Sequence, residues 1–246
     1  MKNNSMQEIL KYISISILLI FGHNLFSQNE ESNNKYSIGI VFTPQFSNWK
    51  YKTSPEYQWF VDIEDSIYIE KNGFSFGIIS EYEINNKFDL DFGVVSSYYP
   101  YETIILTNNL PNQDPLLPCG RGSFSGSDHF IDIPISLKYN LINGNRVTLF
   151  VGIGIVNKFL LFERVKSFSE CYNNKELISK SCKIVDYFNY FISGSLKAGI
   201  DISITDKIST GFYPSFEYSL FNIKKDREIT RHYNLVGINI NVLYKL

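Results

Sequence analysis

After its N-terminal stretch the chain has no apolar run of the ~18 residues that a membrane-spanning helix needs. That excludes a helical membrane protein but not a β-barrel, whose strands carry only an alternation of polar and apolar residues. Charge is sparse and nearly even: charged residues make up 20% and the formal net charge is −2. No basic footprint for nucleic acid exists, and no nucleic-acid partner is expected. Cysteine is limited to three residues, none in C-x-x-C spacing and none accompanied by histidine. No metal site is therefore expected, and no cofactor signature is present. What is abundant is aromatic: 16% of the chain, with 17 Tyr and 20 Phe, a content usual where rings sit at a membrane–water boundary.

Residues Met1 to Ser27 read as a secretory leader. Lys2 and Lys11 flank the short apolar stretch Tyr12 to Phe21, and Leu25-Phe26-Ser27 ends on a small residue, so cleavage is expected after Ser27. The alternative, an uncleaved anchor helix, is disfavoured because the run is short for a bilayer. No Cys follows the run, so an acylated lipoprotein leader is not indicated. Residues 28–35 (QNEESNNK) form a polar lead-in, and 36–246 are left for one domain.

That domain is written in period-2 alternation, the signature of strands with two unlike faces. Eight segments show it: Tyr36–Phe46, Phe74–Ile84, Phe88–Tyr99, Ile131–Leu141, Val147–Leu161, Tyr190–Ile204, Ile208–Leu220 and Val236–Leu246. Each holds the pattern for about ten residues or more, the length of a tilted bilayer-crossing strand. The links between them alternate as well. Asn85-Asn86-Lys87, Ile142-Asn143-Gly144-Asn145 and Thr205-Asp206-Lys207 are tight turns, whereas Ser47–Gly73, Pro100–His129, Phe162–Phe188 and Phe221–His232 are long and polar. Short turns on one side and long loops on the other predict an all-β, eight-stranded antiparallel up-and-down transmembrane barrel of the outer membrane, with periplasmic turns and external loops.

Residue type orients the two faces. One is built of Ile, Val, Leu, Phe and Tyr. The other mixes Ser, Gly and Asn with Glu81, Glu83, Asp89, Asp91, Asp132, Lys138, Lys158, Lys197, Asp201, Glu217 and Lys245. The apolar face is expected to meet outer-membrane lipid. The charged face is expected to line a narrow lumen in which acids and lysines pair across the barrel and balance one another. Two aromatic girdles are expected: Tyr36, Tyr82, Phe88, Tyr139 and Tyr244 at the turn end, and Phe46, Phe74, Tyr98, Phe159, Tyr190 and Tyr218 at the loop end.

The hairpin Phe130-Ile131-Asp132-Ile133-Pro134-Ile135-Ser136-Leu137-Lys138-Tyr139, followed after a tight turn by Phe150-Val151-Gly152-Ile153-Gly154-Ile155, resembles a group of outer-membrane β-barrel proteins common in Bacteroidetes and related to PorT. The motif residues are Ile133, Pro134, Lys138, Tyr139, Gly152 and Gly154. They are structural, so the resemblance implies a location and a fold and transfers no catalytic residue; the PorT relation would imply a role in protein secretion. Pro134 also has a direct physical reading: lacking an N–H, it suits a bulge or a local break in the ladder.

Candidate chemistry is thin. His129, with Ser125, Ser127 and Asp128 nearby, and His232 fall at the loop end, where a rim lipid-modifying enzyme would place a nucleophile and base. No spacing signature supports this over an ordinary polar rim, and no catalytic residue is assigned. Gly152-x-Gly154 is too weak for a phosphate loop. Lumenal carboxylates could carry ions, but eight strands leave an interior filled by side chains. Cys171 and Cys182 are candidates for a disulfide pinning the third long loop, with Cys119 left over or competing for a partner. The expected role is structural, surface-binding or adhesive, through the external loops and an extracellular ligand. The alternative is an accessory part of a secretion machine, partnered by that machine's proteins.

Overall fold

The computed structural model describes residues 35–59, 62, 68–103, 106–107, 121–171, 174–182, 189–221 and 229–246. The expected leader, and the lead-in except Lys35, lie outside the described residues. Eight long strands form the wall: β1 (Tyr36–Thr53), β2 (Asn72–Asn85), β3 (Phe88–Thr103), β4 (Arg121–Asn143), β5 (Val147–Cys171), β6 (Tyr190–Ser203), β7 (Ile208–Ser219) and β8 (Ile229–Lys245). Each pairs antiparallel with its neighbour in sequence, and β1 pairs with β8 from Ser37↔Lys245 to Thr53↔Ile229. The sheet therefore closes on itself as a meander and leaves no barrel edge unpaired.

The tight links hold by local chemistry. The Asn85 Oδ1 accepts hydrogen bonds from the Lys87 and Phe88 amides at 2.9 and 3.1 Å. The Thr205 Oγ1 does the same for Lys207 and Ile208 at 3.3 and 3.0 Å. Side chains that cap their own turn in this way favour a short reversal.

The four stretches read as long loops are partly strand. β4 begins ten residues before Ile131, β5 runs ten residues past Leu161, and β1 and β8 are likewise longer than the alternation indicates. Beyond the barrel, β4 and β5 continue as a ribbon (Arg121↔Glu170 to His129↔Phe162), and a further strand, Asn174–Cys182, pairs with β5. The reason is that apolar alternation records lipid on one face. Beyond the lipid belt neither face has to be uniformly apolar, so Gly122-Ser123-Phe124-Ser125-Gly126-Ser127 carries the ladder without the pattern.

Pro134 sits at a ladder break rather than a bulge. The β3–β4 register is unchanged across it, but pairing stops at Phe92↔Ile135 and resumes at Val95↔Asp132. The β4–β5 ladder runs through Pro134↔Val156 unbroken, and its register shifts fall at His129/Phe130 and Asn140/Ile142.

The wall is apolar outside. Ile78 is 58% and Ile153 63% exposed, while Val41, Phe150 and Leu243 on the opposite face are at most 4% exposed. An apolar surface that extends around the wall has lipid as its natural solvent. Ile153 lies at mid-belt between Leu137 and Leu196. Ile153→Arg should therefore cost about 2–4 kcal/mol, as charges do at the lipid midplane of such barrels. Urea unfolding in phospholipid vesicles measures this; a neutral effect there would mean that the face is not in lipid.

Candidate functional site

The lumen is filled in layers, each set by inward positions on several strands. At the loop end Tyr99, Phe130, Phe191, Tyr233 and Leu235 form a buried cluster. Tyr99–Phe130, Phe130–Phe191, Phe191–Tyr233 and Tyr233–Tyr99 are edge-to-face contacts at 5.6, 5.7, 6.3 and 5.2 Å, so the four rings make a closed ring of contacts. These side chains come from β3, β4, β6 and β8 and plug the barrel from wall to wall. The sequence reading missed them, because it assigned this face to small and charged residues.

Directly beneath the plug lies Lys158, 0% exposed. Its Nζ is 2.8 Å from Asp132 Oδ2 and 2.9 Å from Glu217 Oε2, and it donates to the Tyr99 hydroxyl at 3.1 Å. Ser97 donates to the same Asp132 oxygen at 2.5 Å. Further toward the turns, Lys138 Nζ reaches Glu81 at 2.5 Å and Asp201 at 2.6 Å, with its ammonium 4.3 Å from the centroid of Phe150. Lys197 pairs with Asp91. Between the two ionic layers is a cavity of about 90 Å³, bordered by Gln45, Asp91, Asp132, Pro134, Glu217 and Asn239. At roughly 10–15 Å³ of such cavity per water, this is room for several molecules.

The expected pairing across the lumen is present, but the expected balance of charge is not. Glu81, Asp91, Asp132, Asp201 and Glu217 surround only Lys138, Lys158 and Lys197 in these two layers. Asp89, nearer the turns, is held by Asn140 Nδ2 at 2.9 Å.

The motif residues explain themselves in this setting. Lys138 is the centre of the inner ionic layer. A Cβ on Gly152 would meet Lys197 Cε at 2.8 Å, so the glycine leaves room for that side chain to cross. A Cβ on Gly154 would meet the Ile135 carbonyl oxygen and Ser136 Cβ, both at 2.5 Å. Tyr139 faces outward and contacts Phe88 at 5.1 Å in the turn-end girdle, and Ile133 belongs to the lipid face.

Both girdles form as cross-strand pairs. Tyr36–Tyr82 lie 4.6 Å apart at the turn end, and Phe74–Tyr98 and Phe159–Tyr190 lie 5.4 and 4.8 Å apart at the loop end. The histidines join the outer girdle. His129 packs against Phe162 at 4.2 Å and Tyr98 at 4.9 Å, and His232 stacks on Tyr218 at 5.4 Å. Ser127 Oγ lies 3.4 Å from His129 Nε2 and Ser219 Oγ 3.4 Å from His232 Nδ1. Asp128, opposite buried Tyr99, faces inward, so it is not placed to orient the His129 ring.

The backbone register does not bring Cys171 and Cys182 together. Cys171 lies opposite Asn174, whereas Cys182 lies opposite Glu163, at the other end of the ribbon. Eight residues of strand separate the two positions, roughly 26 Å at 3.3 Å per residue, against the ~4.4–6.8 Å between Cα atoms that a disulfide spans. Cys119 lies outside the described residues.

Three solved structures are among those similar to this chain. Neisserial surface protein A is 12% identical, with 88% of this chain and 100% of that chain covered and a TM-score of 0.45. The outer membrane protease OmpT from Escherichia coli is 7% identical over 89% and 99% of the two chains, with a TM-score of 0.48. OprG from Pseudomonas aeruginosa is 12% identical over 86% and 95%, with a TM-score of 0.44. No curated protein matches in sequence. The family comparison is more direct, since the profile of one family spans residues 21–225, past the end of β7. With a closed antiparallel barrel, an apolar wall and paired aromatic girdles already in place, this match settles the membership: the chain belongs to the outer membrane protein beta-barrel domain family.

Proposed function

We propose that this protein is a surface-binding barrel of the outer membrane, a scaffold that presents its loop-end ribbon to an extracellular ligand and performs no catalysis of its own. The leader would export it, and the tight turns would face the periplasm. The observation that carries this reading is the contrast between the two ends of β4 and β5. Inside the barrel the lumen is plugged by the aromatic cluster above a small cavity. Outside it, the same strands continue as a paired ribbon of about ten residues that is joined by a third strand. Rigid strands raised above a membrane make a preorganised platform, and binding surfaces gain affinity from such preorganisation. The girdle packing of His129 and His232, with Asp128 turned inward, speaks against a rim enzyme.

Shortening the ribbon tests this. A variant in which 103–124 and 167–187 are each replaced by a short Gly-Ser turn should still fold as a barrel. It should also lose the binding shown by the intact protein, in nanodiscs, on an array of extracellular-matrix proteins and glycans. Binding that survives the change, or an intact protein that binds nothing on the array, overturns the reading. A role beside a secretion machine rests on the PorT-like resemblance alone. It would be favoured by a gene deletion that stops protein secretion while leaving surface binding unchanged.

A further inference from the structure

The outward face of β5 changes character within a few residues. From Ile153 through Ile155, Phe159 and Leu161 to Phe162 it is apolar or aromatic except for Asn157, which accepts from the Tyr190 hydroxyl at 2.8 Å, and then Arg164 and Lys166 stand exposed on the same side. The register shift at His129/Phe130, where His129 pairs with Phe162 and Phe130 with Leu160, turns both Leu161 and Phe162 outward. It therefore also brings Arg164 and Lys166 out. With an unbroken alternation these two would point to the other side of the sheet.

Hydroxyls stand beside both cations. Arg164 lies opposite Ser127 on β4, and Lys166 lies opposite Ser125. Directly opposed residues of antiparallel strands share a face, so each cation has a serine at its side. The guanidinium of Arg164 is 5.4 Å from the Phe162 centroid, and Phe162 is stacked on His129. Nearby acids are committed elsewhere: Glu102, opposite Ser125 on β3, pairs with Lys71, and buried Glu163 accepts from the Tyr101 hydroxyl at 2.5 Å.

The height of this patch identifies its partner. A strand rising ~3.3 Å per residue at a tilt of ~40° gains roughly 2.5 Å of height per residue. Arg164 and Lys166 then lie roughly 5 and 10 Å beyond Phe162 at the hydrocarbon boundary. The headgroup layer on each side of a bilayer is roughly 5–7 Å deep. Arg164 falls within it and the Lys166 backbone just beyond it, close enough for the long lysine side chain to reach back, directly above an apolar wall that takes acyl chains. Anionic oxygens set beside cations and hydroxyl donors at that height are the phosphates of a lipid head.

We propose that Arg164 and Lys166, flanked by Ser125 and Ser127, bind the phosphate groups of a phosphorylated outer-leaflet lipid whose chains lie along the Ile153–Phe162 wall. The site is independent of whatever the ribbon tip binds. Native mass spectrometry of the refolded full barrel in detergent tests it, with bis-phosphorylated lipid A and dephosphorylated lipid A as probes and inorganic phosphate as competitor. The wild type should retain the phosphorylated lipid in preference to the dephosphorylated one. Arg164→Gln/Lys166→Gln should lower its retention roughly ten-fold or more, the scale of losing charge-assisted hydrogen bonds, while Lys207→Gln at the turn end changes nothing. Folding of each variant is checked by its heat-modifiable gel mobility. Equal retention by wild type and double variant overturns the proposal, as does equal loss in Lys207→Gln. Displacement of the lipid by equimolar inorganic phosphate would make this a free-anion site and overturns the lipid assignment.

Discussion

Lys158→Met should destabilise the barrel by about 3–5 kcal/mol, the cost of removing one partner from a buried ion cluster. The side chain is fully buried and stands between Asp132 and Glu217, with the Tyr99 hydroxyl as a further acceptor. An ammonium offers three donors, and here three acceptors surround it. Methionine fills the volume but leaves two carboxylates facing each other under the aromatic plug without a counter-charge. Urea unfolding in vesicles should show the loss. Lys158→Met/Asp132→Asn/Glu217→Gln should recover most of it, because the uncompensated charge is then gone. Lys197→Met should cost less, since Lys197 answers only Asp91 in a more open part of the lumen. A benign Lys158→Met would mean that the acids of this layer are neutral or hydrated, contrary to the ion-paired arrangement.

The parts of this fold that were legible are those on which the membrane imposes a pattern. Lipid demands apolar side chains at every second position for about ten residues, so Val236–Leu246, Tyr190–Ile204 and Ile131–Leu141 announce both their strand character and their outward face. Turn chemistry at Asn85 and Thr205 was equally readable, because the capping atom lies in the same few residues that it caps. The β4–β5 ribbon was not legible, because it lies beyond the lipid belt, where no face has to be apolar at every second position. The lumenal acids and lysines were recognisable as mutual partners. Which lysine serves which acid, and that the acids outnumber the lysines in the two ionic layers, depends on a register that spans four or more strands. The Cys171–Cys182 expectation came from loop-like spacing, and the strand Asn174–Cys182 displaces its two ends along the ribbon. The aromatic plug left a trace that can be named in retrospect. Tyr98-Tyr99, Phe130-Ile131 and Tyr190-Phe191 each put two large apolar residues side by side where alternation calls for one. Three such doublets near the loop ends of β3, β4 and β6 mark a height at which both faces of the wall are dry.

That height is also where a large-to-small substitution should be felt most. Phe191→Ala is expected to cost about 3–5 kcal/mol, the range for deleting a buried ring that its surroundings cannot collapse to replace. Collapse is hindered here because Phe191 lies on a closed wall and touches Phe130 and Tyr233, which come from strands β4 and β8 that do not adjoin β6. Moving the rings together would require bending a sheet that is closed on itself. Phe130→Ala should behave similarly, and the double variant should cost less than the two losses combined, since each single change already breaks their shared contact. Planar-bilayer recording adds an independent reading of the same variants. The Lys158 and Lys138 layers lie beneath the plug, so Phe191→Ala should lower the unfolding midpoint without producing stepwise conductance. Conductance steps in that single variant would show that the aromatic layer alone seals the lumen and that the ionic layers are permeable. An unchanged midpoint would show that the ring cluster contributes little to holding the barrel closed.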